Sequence, residues 1–326
     1  MPATEIINQI EAALKQGALS PTDLSQLTDL YPEILKQAAN QGNYKILNRL
    51  DIDKHPGLTP GGTDLGPLRK GCCLDTETTG FDFDSDKVIE VGLILFEYNS
   101  SYQVTRLLDR YNGLEDPGAP LPQEIIDVTG LTDADLAGQS FDESRVEGIL
   151  AQADILIAHN AGFDRPMMEK RFPSTIKKCW ACSLHQVAWD KEYLKAKMLE
   201  YLLSKCGGWF IDAHRALNDA EGLLALLMER LPKSGGNILQ ALIEKARTND
   251  TRIYAVGSPF ELKDTLKERG YRWNDGKDGK PKAWWFDAPG DGSEELRWLA
   301  EAIYSGRSMD QVAAVPINAY IRFSRR

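Results

Sequence analysis

A mixed α/β sheet flanked by helices, with a helical N-terminal extension and a small C-terminal α+β module, is the fold this sequence predicts. Three observations carry that expectation. Between residues 70 and 232, three apolar strand-like runs precede a helix, a short apolar strand and further helices. Residues 55–67, HPGLTPGGTDLGP, are rich in Gly, Pro and Thr and set this block apart from a helical stretch before it. From residue 252 a new strand–helix–hairpin–helix pattern begins, and 326 residues are too many for one typical domain. The expected boundaries are 1–54 for the extension, 55–69 for a linker, 70–232 for the main domain, 233–251 for a connecting helix or linker, and 252–326 for the module.

Each element has a local reason. In the extension Ile6, Ile7, Ile10 and Leu14 keep helical spacing, as do Leu24, Leu27, Leu30 and Ile34. That stretch reads as a packing or partner-docking appendage and offers no chemistry. The main domain opens on CCLDTETT (72–79), a short apolar strand that delivers acids at its end. VIEVGLILFEY (88–98) and YQVTRLLDRYN (102–112) follow as hairpin strands around Asn99-Ser100-Ser101. FDESRVEGILAQA suits a helix and DILIAHN (154–160) an apolar strand, and a helix starting near Phe163 carries Asp164 in its first turn. LNDAEGLLALLMERLP has an apolar stripe and stops before Pro232.

In the module IYAVG reads as a strand. Ser258-Pro259-Phe260-Glu261 offers an N-cap, a proline at the first helical position and a glutamate at the third, a capping-box arrangement. PFELKDTLKER should stop at Gly270, GYRWN and KAWWFD flank the turn-rich DGKDGKP as a hairpin, and SEELRWLAEAIY closes as a helix.

Composition excludes several classes. Apolar content of 42% and charged content of 26% are ordinary for a globular protein. No apolar run approaches the roughly 18 residues of a membrane span, and MPATEIINQIEAALKQ lacks a basic-then-apolar signal pattern, so a cytoplasmic protein with no membrane partner is expected. Five cysteines, two of them adjacent, do not form a secreted disulfide framework. A net charge of −10 argues against a broadly basic nucleic-acid coat and predicts salt-sensitive binding away from any local site.

Three short segments concentrate the chemistry: LDTETTG with Asp75 and Glu77, HNAGFD with Asp164, and HRALND with His214 and Asp219. Any one of these residues alone reads about equally as a surface group or a site residue. Four carboxylates from separated stretches that converge in space would instead cage a hard divalent cation, which takes oxygen ligands. The set, in this order, resembles the exonuclease motifs of the DnaQ-like, DEDDh family, to which the proofreading subunit of bacterial replicative DNA polymerase belongs. The resemblance covers roughly residues 70 to 232, about half the chain, and all five signature positions are present.

The resemblance implies a ribonuclease H-like fold and a 3′→5′ exonuclease that releases nucleoside 5′-monophosphates. It also implies two Mg²⁺ or Mn²⁺ ions held by Asp75, Glu77, Asp164 and Asp219, and His214 as general base. Two metals about 4 Å apart can activate a nucleophile, neutralise the phosphate and help the departing oxygen. Strand alternation puts Asp75 and Glu77 on one face with Thr76 pointing away. The near-neutral reference pKa of histidine suits proton removal from water.

Around these residues, Thr78, Thr79 and Gly80 are expected to bring backbone amides to the terminal nucleotide. Phe81 and Phe163 are expected to stack or wedge against bases, and Asn160 to bond near the scissile phosphate, with core packing as the competing role for each. Glu90 suits a supporting role. Cys179 and Cys182 form CWAC with His185 after them, and a zinc site would require Cys206 to join. In the module Tyr271, Trp273, Trp284, Trp285 and Phe286 lie among Arg272, Lys277, Lys280 and Lys282, a pattern that suits single-stranded nucleic acid and equally suits a small core. This tail, with RGYRWND and AWWFD, resembles one attached to some bacterial DnaQ-like exonucleases.

Single-stranded DNA 3′ ends are the favoured substrate, with an RNA-trimming or oligoribonuclease-like enzyme as the rival. A non-catalytic module that binds nucleic-acid ends or a replication or repair partner is the alternative from another class. QVAAVP (311–316) is a poor match to a clamp-binding peptide, which favours a free-standing repair or processing exonuclease over a replicase subunit.

Overall fold

A computed structural model describes residues 47–60 and 66–325. The helical spacing read at residues 6–34 lies outside the described residues. Two compact units result. In the smaller, Asn48–Arg49 (β1) pairs in parallel with Trp209–Phe210 (β7). The larger comprises 50–207 and 211–326.

The larger unit is built on the strand Val88–Tyr98 (β3), whose VIEVGLILFEY sequence is apolar on both faces and buried at ten of eleven positions. Such a strand needs cover on both sides. Arg69–Thr78 (β2) and Val104–Leu114 (β4) flank it antiparallel, while Ile155–Ala158 (β5) and Cys179–Cys182 (β6) continue in parallel from β2. The order β4-β3-β2-β5-β6 is therefore a five-stranded mixed sheet.

Three short helices follow β4: Gln123–Thr129 (α1), Asp133–Leu136 (α2) and Glu143–Gln152 (α3). Residues of α3 and of Ala161–Arg171 (α4) cover one sheet face, where Val146, Ile149, Leu150, Met167 and Met168 bury against Cys72, Leu74, Val91, Leu93 and Leu95. Ser183–Gln186 (α5) and Leu199–Cys206 (α6) lead to Ala216–Met228 (α7), which lies across β2 and β3 on the other face. Both expected hairpin strands and the helix after residue 214 are present.

The segment after α7 carries the helix Ile238–Ala246 (α8), with Ile238, Leu239, Leu242, Ile243 and Ala246 buried. A separate four-stranded antiparallel sheet follows, formed by Asp250–Ala255 (β8), Arg272–Asn274 (β9), Ala283–Pro289 (β10) and Ala313–Ile317 (β11) in the order β11-β8-β10-β9. The hairpin read at GYRWN and KAWWFD is β9 paired with β10. Lys263–Glu268 (α9) ends two residues before Gly270, whose φ of +99° suits a glycine stop. Ser293–Trp298 (α10) runs on as a wider helical turn to Tyr304.

The capping box expected at Ser258 does not form. Pro259 instead precedes a tight turn at Phe260–Leu262 with no side-chain cap. The Ser258 amide is committed to the Ala255 carbonyl and so does not donate to the Glu261 carboxylate, as a capping box requires. Tyr271 is buried with Leu266, Leu299 and Ile303, and Trp284 and Phe286 pack against them, whereas Trp273 is 51% exposed.

The C-terminal residues then return to the first sheet. Trp180 donates its amide to the Ala319 carbonyl, extending the edge of β6. Arg165 of α4, fully buried and paired with Glu169 at 2.7 Å, also donates to the carbonyls of Ala319, Tyr320 and Arg322. The helix that carries Asp164 is thereby fixed by the last residues of the chain.

Candidate active site

Register decides which side chains share a face. Asp75 lies opposite Gly92 and Glu77 opposite Glu90 on β2 and β3, so all four positions face α7. Gly92 is what lets α7 come down: a Cβ there would stand 2.2 Å from the carbonyl carbon of Ala216. The first turn of that helix delivers Asp219. Carboxylate oxygens of Asp75, Glu77 and Asp219 all lie within 4.8 Å of one another, the one such grouping of acid, histidine or cysteine ligands among the described residues.

Two glutamates directly opposite on neighbouring strands repel. Arg215 offsets this at Glu90, which is fully buried and receives Arg215 Nε at 3.2 Å, Nη2 at 3.0 Å and the Ala216 amide at 3.2 Å. The Arg215 amide also donates to Asp219 Oδ2 at 3.2 Å. One residue thus ties the start of α7 to both the sheet and the cluster. His214, just before it, is exposed on the loop entering α7 with φ +65°, a left-handed conformation uncommon for a residue with a side chain. Its ring is not part of the carboxylate grouping.

Asp164 approaches from the other face. The pairing of β5 with β2 stops at Cys73, which leaves the next β2 amides on that edge open. Thr76 points away from Asp75 and Glu77 as alternation requires, and there its amide and hydroxyl both donate to Asp164 Oδ1, at 3.1 and 3.0 Å. Asp164 is buried and bound to the strand between the two other acids rather than grouped with Asp219. Its amide and that of Phe163 both turn onto the Asn160 carbonyl, which starts α4.

Crowding makes these groups reluctant to ionise together. Burial first, then Asp164, Asp219 and Glu77, holds the Asp75 carboxyl well above its ordinary value. Burial with the Asp219 and Glu90 charges raises Glu77 to about 8. Desolvation lifts Asp164 to about 7 against the opposing Thr76 bonds, and Asp219 to about 6 against the amides of Arg215 and His214. An oxygen-only donor set under such repulsion fits a hard divalent cation, which would restore the ionised forms.

The surrounding positions divide. Phe81 is 81% exposed and its ring centroid lies 5.8 Å from Phe163, which also meets Phe83 at 5.9 Å. Asn160 is exposed with a side chain that caps nothing in α4. The Thr79 amide is not available to a nucleotide, because it donates to the Lys87 carbonyl at 2.9 Å to close the loop. Thr78 Oγ1 donates to the Gly80 carbonyl at 2.6 Å, and a Cβ on Gly80 would meet the Asp86 carboxylate at 2.4 Å. His159 of the second motif bonds Ser183 Oγ and the Lys197 carbonyl, each at 2.7 Å, and burial lowers its pKa to about 4. It is a neutral core histidine. Cys179, Cys182, His185 and Cys206 form no ligand grouping among the described residues, and His185 packs on Phe323 instead.

Thr76, Gly92 and Arg215 were not singled out by sequence. Thr76 sat inside a recognised motif, and its place on the opposite face was the available signal. Gly92 and Arg215 act through the seating of α7, which required the three-dimensional register.

The exonuclease family described as "RNase_T: Exonuclease" matches residues 72–227. The chain is similar to the "DNA polymerase III PolC-type" of Thermotoga maritima, 26% identical over 204 residues that cover 57% of this chain and 14% of that protein. The corresponding protein of Clostridium perfringens is 27% identical over 228 residues, 67% of this chain and 15% of that one. The chain thus spans only about 15% of the length of these relatives. Among solved structures, exonuclease X in complex with 5′ overhanging duplex DNA has a TM-score of 0.40 at 20% identity, covering 54% of this chain and 99% of that one. Exonuclease I has a TM-score of 0.42 at 15% identity, with 58% and 49% covered.

Proposed function

We propose that residues 72–227, which the exonuclease family model matches, form an exonuclease domain, and that this chain is a metal-dependent 3′→5′ exonuclease acting on single-stranded DNA ends. The observation that carries the reading is the Asp75–Glu77–Asp219 grouping, with Asp164 bound to Thr76 on the strand between two of them. Asp75, Glu77, Asp164 and Asp219 would hold two Mg²⁺ or Mn²⁺ ions, which supply charge neutralisation on the phosphate and an activated nucleophile.

The chain's own residues supply the rest. His214, exposed and carried on a loop anchored by Arg215, takes the proton of the attacking water as general base. Phe81 and Phe163 offer ring faces to the terminal base, which favours an unpaired strand without selecting its sequence. Thr76 favours the ionised form of Asp164 by two hydrogen bonds to one oxygen, offsetting part of the desolvation that raises it. The products are nucleoside 5′-monophosphates.

DNA is favoured over RNA by the similarity to polymerases named for DNA synthesis. A free-standing repair or processing role is favoured over replicase membership, since residues 313–317 are paired into a sheet instead of being displayed as a peptide. No helix among the described residues is long and apolar enough to cross a membrane.

The test uses 5′-labelled single-stranded DNA and matched RNA with Mg²⁺, Mn²⁺ or EDTA. The expected result is metal-dependent shortening from the 3′ end, faster on DNA. Faster cleavage of RNA would reassign the substrate. Cleavage in EDTA, or internal cuts, would contradict the reading.

A further inference from the structure

We propose that the C-terminal module supplies a second nucleic-acid subsite, a cationic cleft around Trp285 that grips the phosphate backbone of the strand whose 3′ end is being cut. The inference rests on the exonuclease reading above and adds the surface that would hold the strand behind the active site.

A cavity of about 170 Å³ is lined by Gly162 of α4 together with Arg252, Arg272, Lys280, Trp285 and Arg325. Its chemistry is unlike that of the whole chain, which carries a net charge of −10. Four cationic side chains converge here. Arg252 Cζ stands 4.1 Å from the Trp285 ring centroid and Arg272 Cζ 4.0 Å from it, so two guanidiniums share one indole. Arg252 is bound through Nε and Nη2 to Asp287, at 2.7 and 2.9 Å. Arg272 has no hydrogen-bonded carboxylate among the described residues, because the nearby Asp287 is already occupied. Lys280 donates to the Ser324 carbonyl at 2.8 Å and reaches Asp278 only at 4.0 Å.

Four cations beside two carboxylates, Asp287 and Asp278, leave an unmet demand for an anion. Desolvation and the Arg252 charge pull Arg272 below the usual guanidinium range, and desolvation with Arg252 does the same to Lys280. A row of phosphodiesters is the ligand that fits. Guanidinium forks bind phosphate oxygens, and an indole face accepts a base or packs against the arginines that do so.

Position connects the cleft to the catalytic centre. Gly162 lies two residues before Asp164. The Arg325 guanidinium stands 4.7 Å from the Phe83 ring, Phe83 meets Phe163 at 5.9 Å, and Phe163 meets Phe81 at 5.8 Å. An aromatic and cationic track therefore runs from the exposed Phe81 to the cleft. A single strand laid along it would place its 3′ terminus at the carboxylates and its upstream phosphates on Arg325 and Arg272.

The experiment separates this claim from the exonuclease reading. Fluorescence anisotropy with full-length protein and a labelled oligothymidylate of about 20 nucleotides, in EDTA so that nothing is cut, compares wild type with Arg272→Gln, Arg325→Gln and the double variant. The double variant should bind at least about tenfold more weakly, and its slope of log K against log salt should fall by about 1.4, two phosphate contacts at about 0.7 each. Its thermal midpoint should hold or rise, because Arg272 is repelled by Arg252; a merely structural role would lower it. With Mg²⁺ added, the loss in kcat/KM should be larger on the long strand than on a dinucleotide. Unaltered affinity and salt slope, or equal losses on both substrates, would overturn the subsite. Absence of cleavage by the wild type, with the binding loss intact, would overturn the exonuclease reading and leave the subsite standing.

Discussion

Thr76 and His214 are the residues where chemistry and backbone meet most closely. Thr76 gives Asp164 two donors on one oxygen, and Thr→Val keeps the shape while deleting one of them. Loss of a hydrogen bond to a buried charged group costs about 1.5–3 kcal/mol, so Thr76→Val should lower the thermal midpoint measurably. Groups that orient metal ligands typically contribute 10–100-fold in affinity or activity, and a loss of about tenfold in Mn²⁺ affinity is expected by calorimetry. Unchanged Mn²⁺ affinity would show that Asp164 is not held for a metal. His214 requires a different substitution, because φ +65° penalises most side chains. Asparagine tolerates that conformation, so His214→Asn should retain the fold while slowing the chemical step about 10²–10⁴-fold. A rate within twofold of wild type would remove the base from His214. Asp75, Glu77 and Asp219, which the structure brings together, were legible in the sequence because acids in these motifs point to ligand chemistry, whereas Asp164 and His214 lie outside that grouping. Thr76 was legible only as the residue between two acids, since its partner lies 88 positions away.

Helix α7 is the element that assembles the site, and what seats it is a glycine and a buried ion pair. Gly92→Ala would drive a methyl group into the Ala216 carbonyl, and overpacking of this kind costs about 1–3 kcal/mol. The helix carries Asp219 and follows His214, so activity should fall by more than the loss of folded protein explains. An alanine variant with normal kcat at a lowered thermal midpoint would show that the site tolerates a shifted α7. Strand β3 could be read from its apolar run, but the contact between Gly92 and α7 could not. A glycine inside a strand signals close approach without saying by what. The failed capping box at Ser258 has the same origin in reverse: the local pattern was present, and the preceding turn took the amide it needed.

At the scale of the whole molecule, an acidic chain spends stability on its own site. The carboxyls of Glu77, Asp164 and Asp219 sit at about 8, 7 and 6 when folded, against ordinary values near 4. Between roughly pH 4 and 8 the folded protein therefore holds more protons than the unfolded chain, and stability falls as pH rises through that window. In EDTA the thermal midpoint should drop from pH 5 to pH 8, and Mg²⁺ should raise it more at pH 8 than at pH 5. A midpoint that climbs with pH in EDTA would contradict the crowding of the cluster. The first sheet and the module's hairpin were readable from periodicity and turn residues. The return of residues 319–322 onto Arg165 was not, because backbone carbonyls leave no mark in side-chain pattern. The most direct test of the central claim is chromatography of the products released from a single-stranded oligonucleotide with Mg²⁺, by wild type and by Asp75→Asn. Nucleoside 5′-monophosphates from the wild type, and none from a variant whose midpoint in EDTA at pH 8 is raised by the lost repulsion, is the expected result. Monophosphates released at comparable rates by both proteins would contradict it.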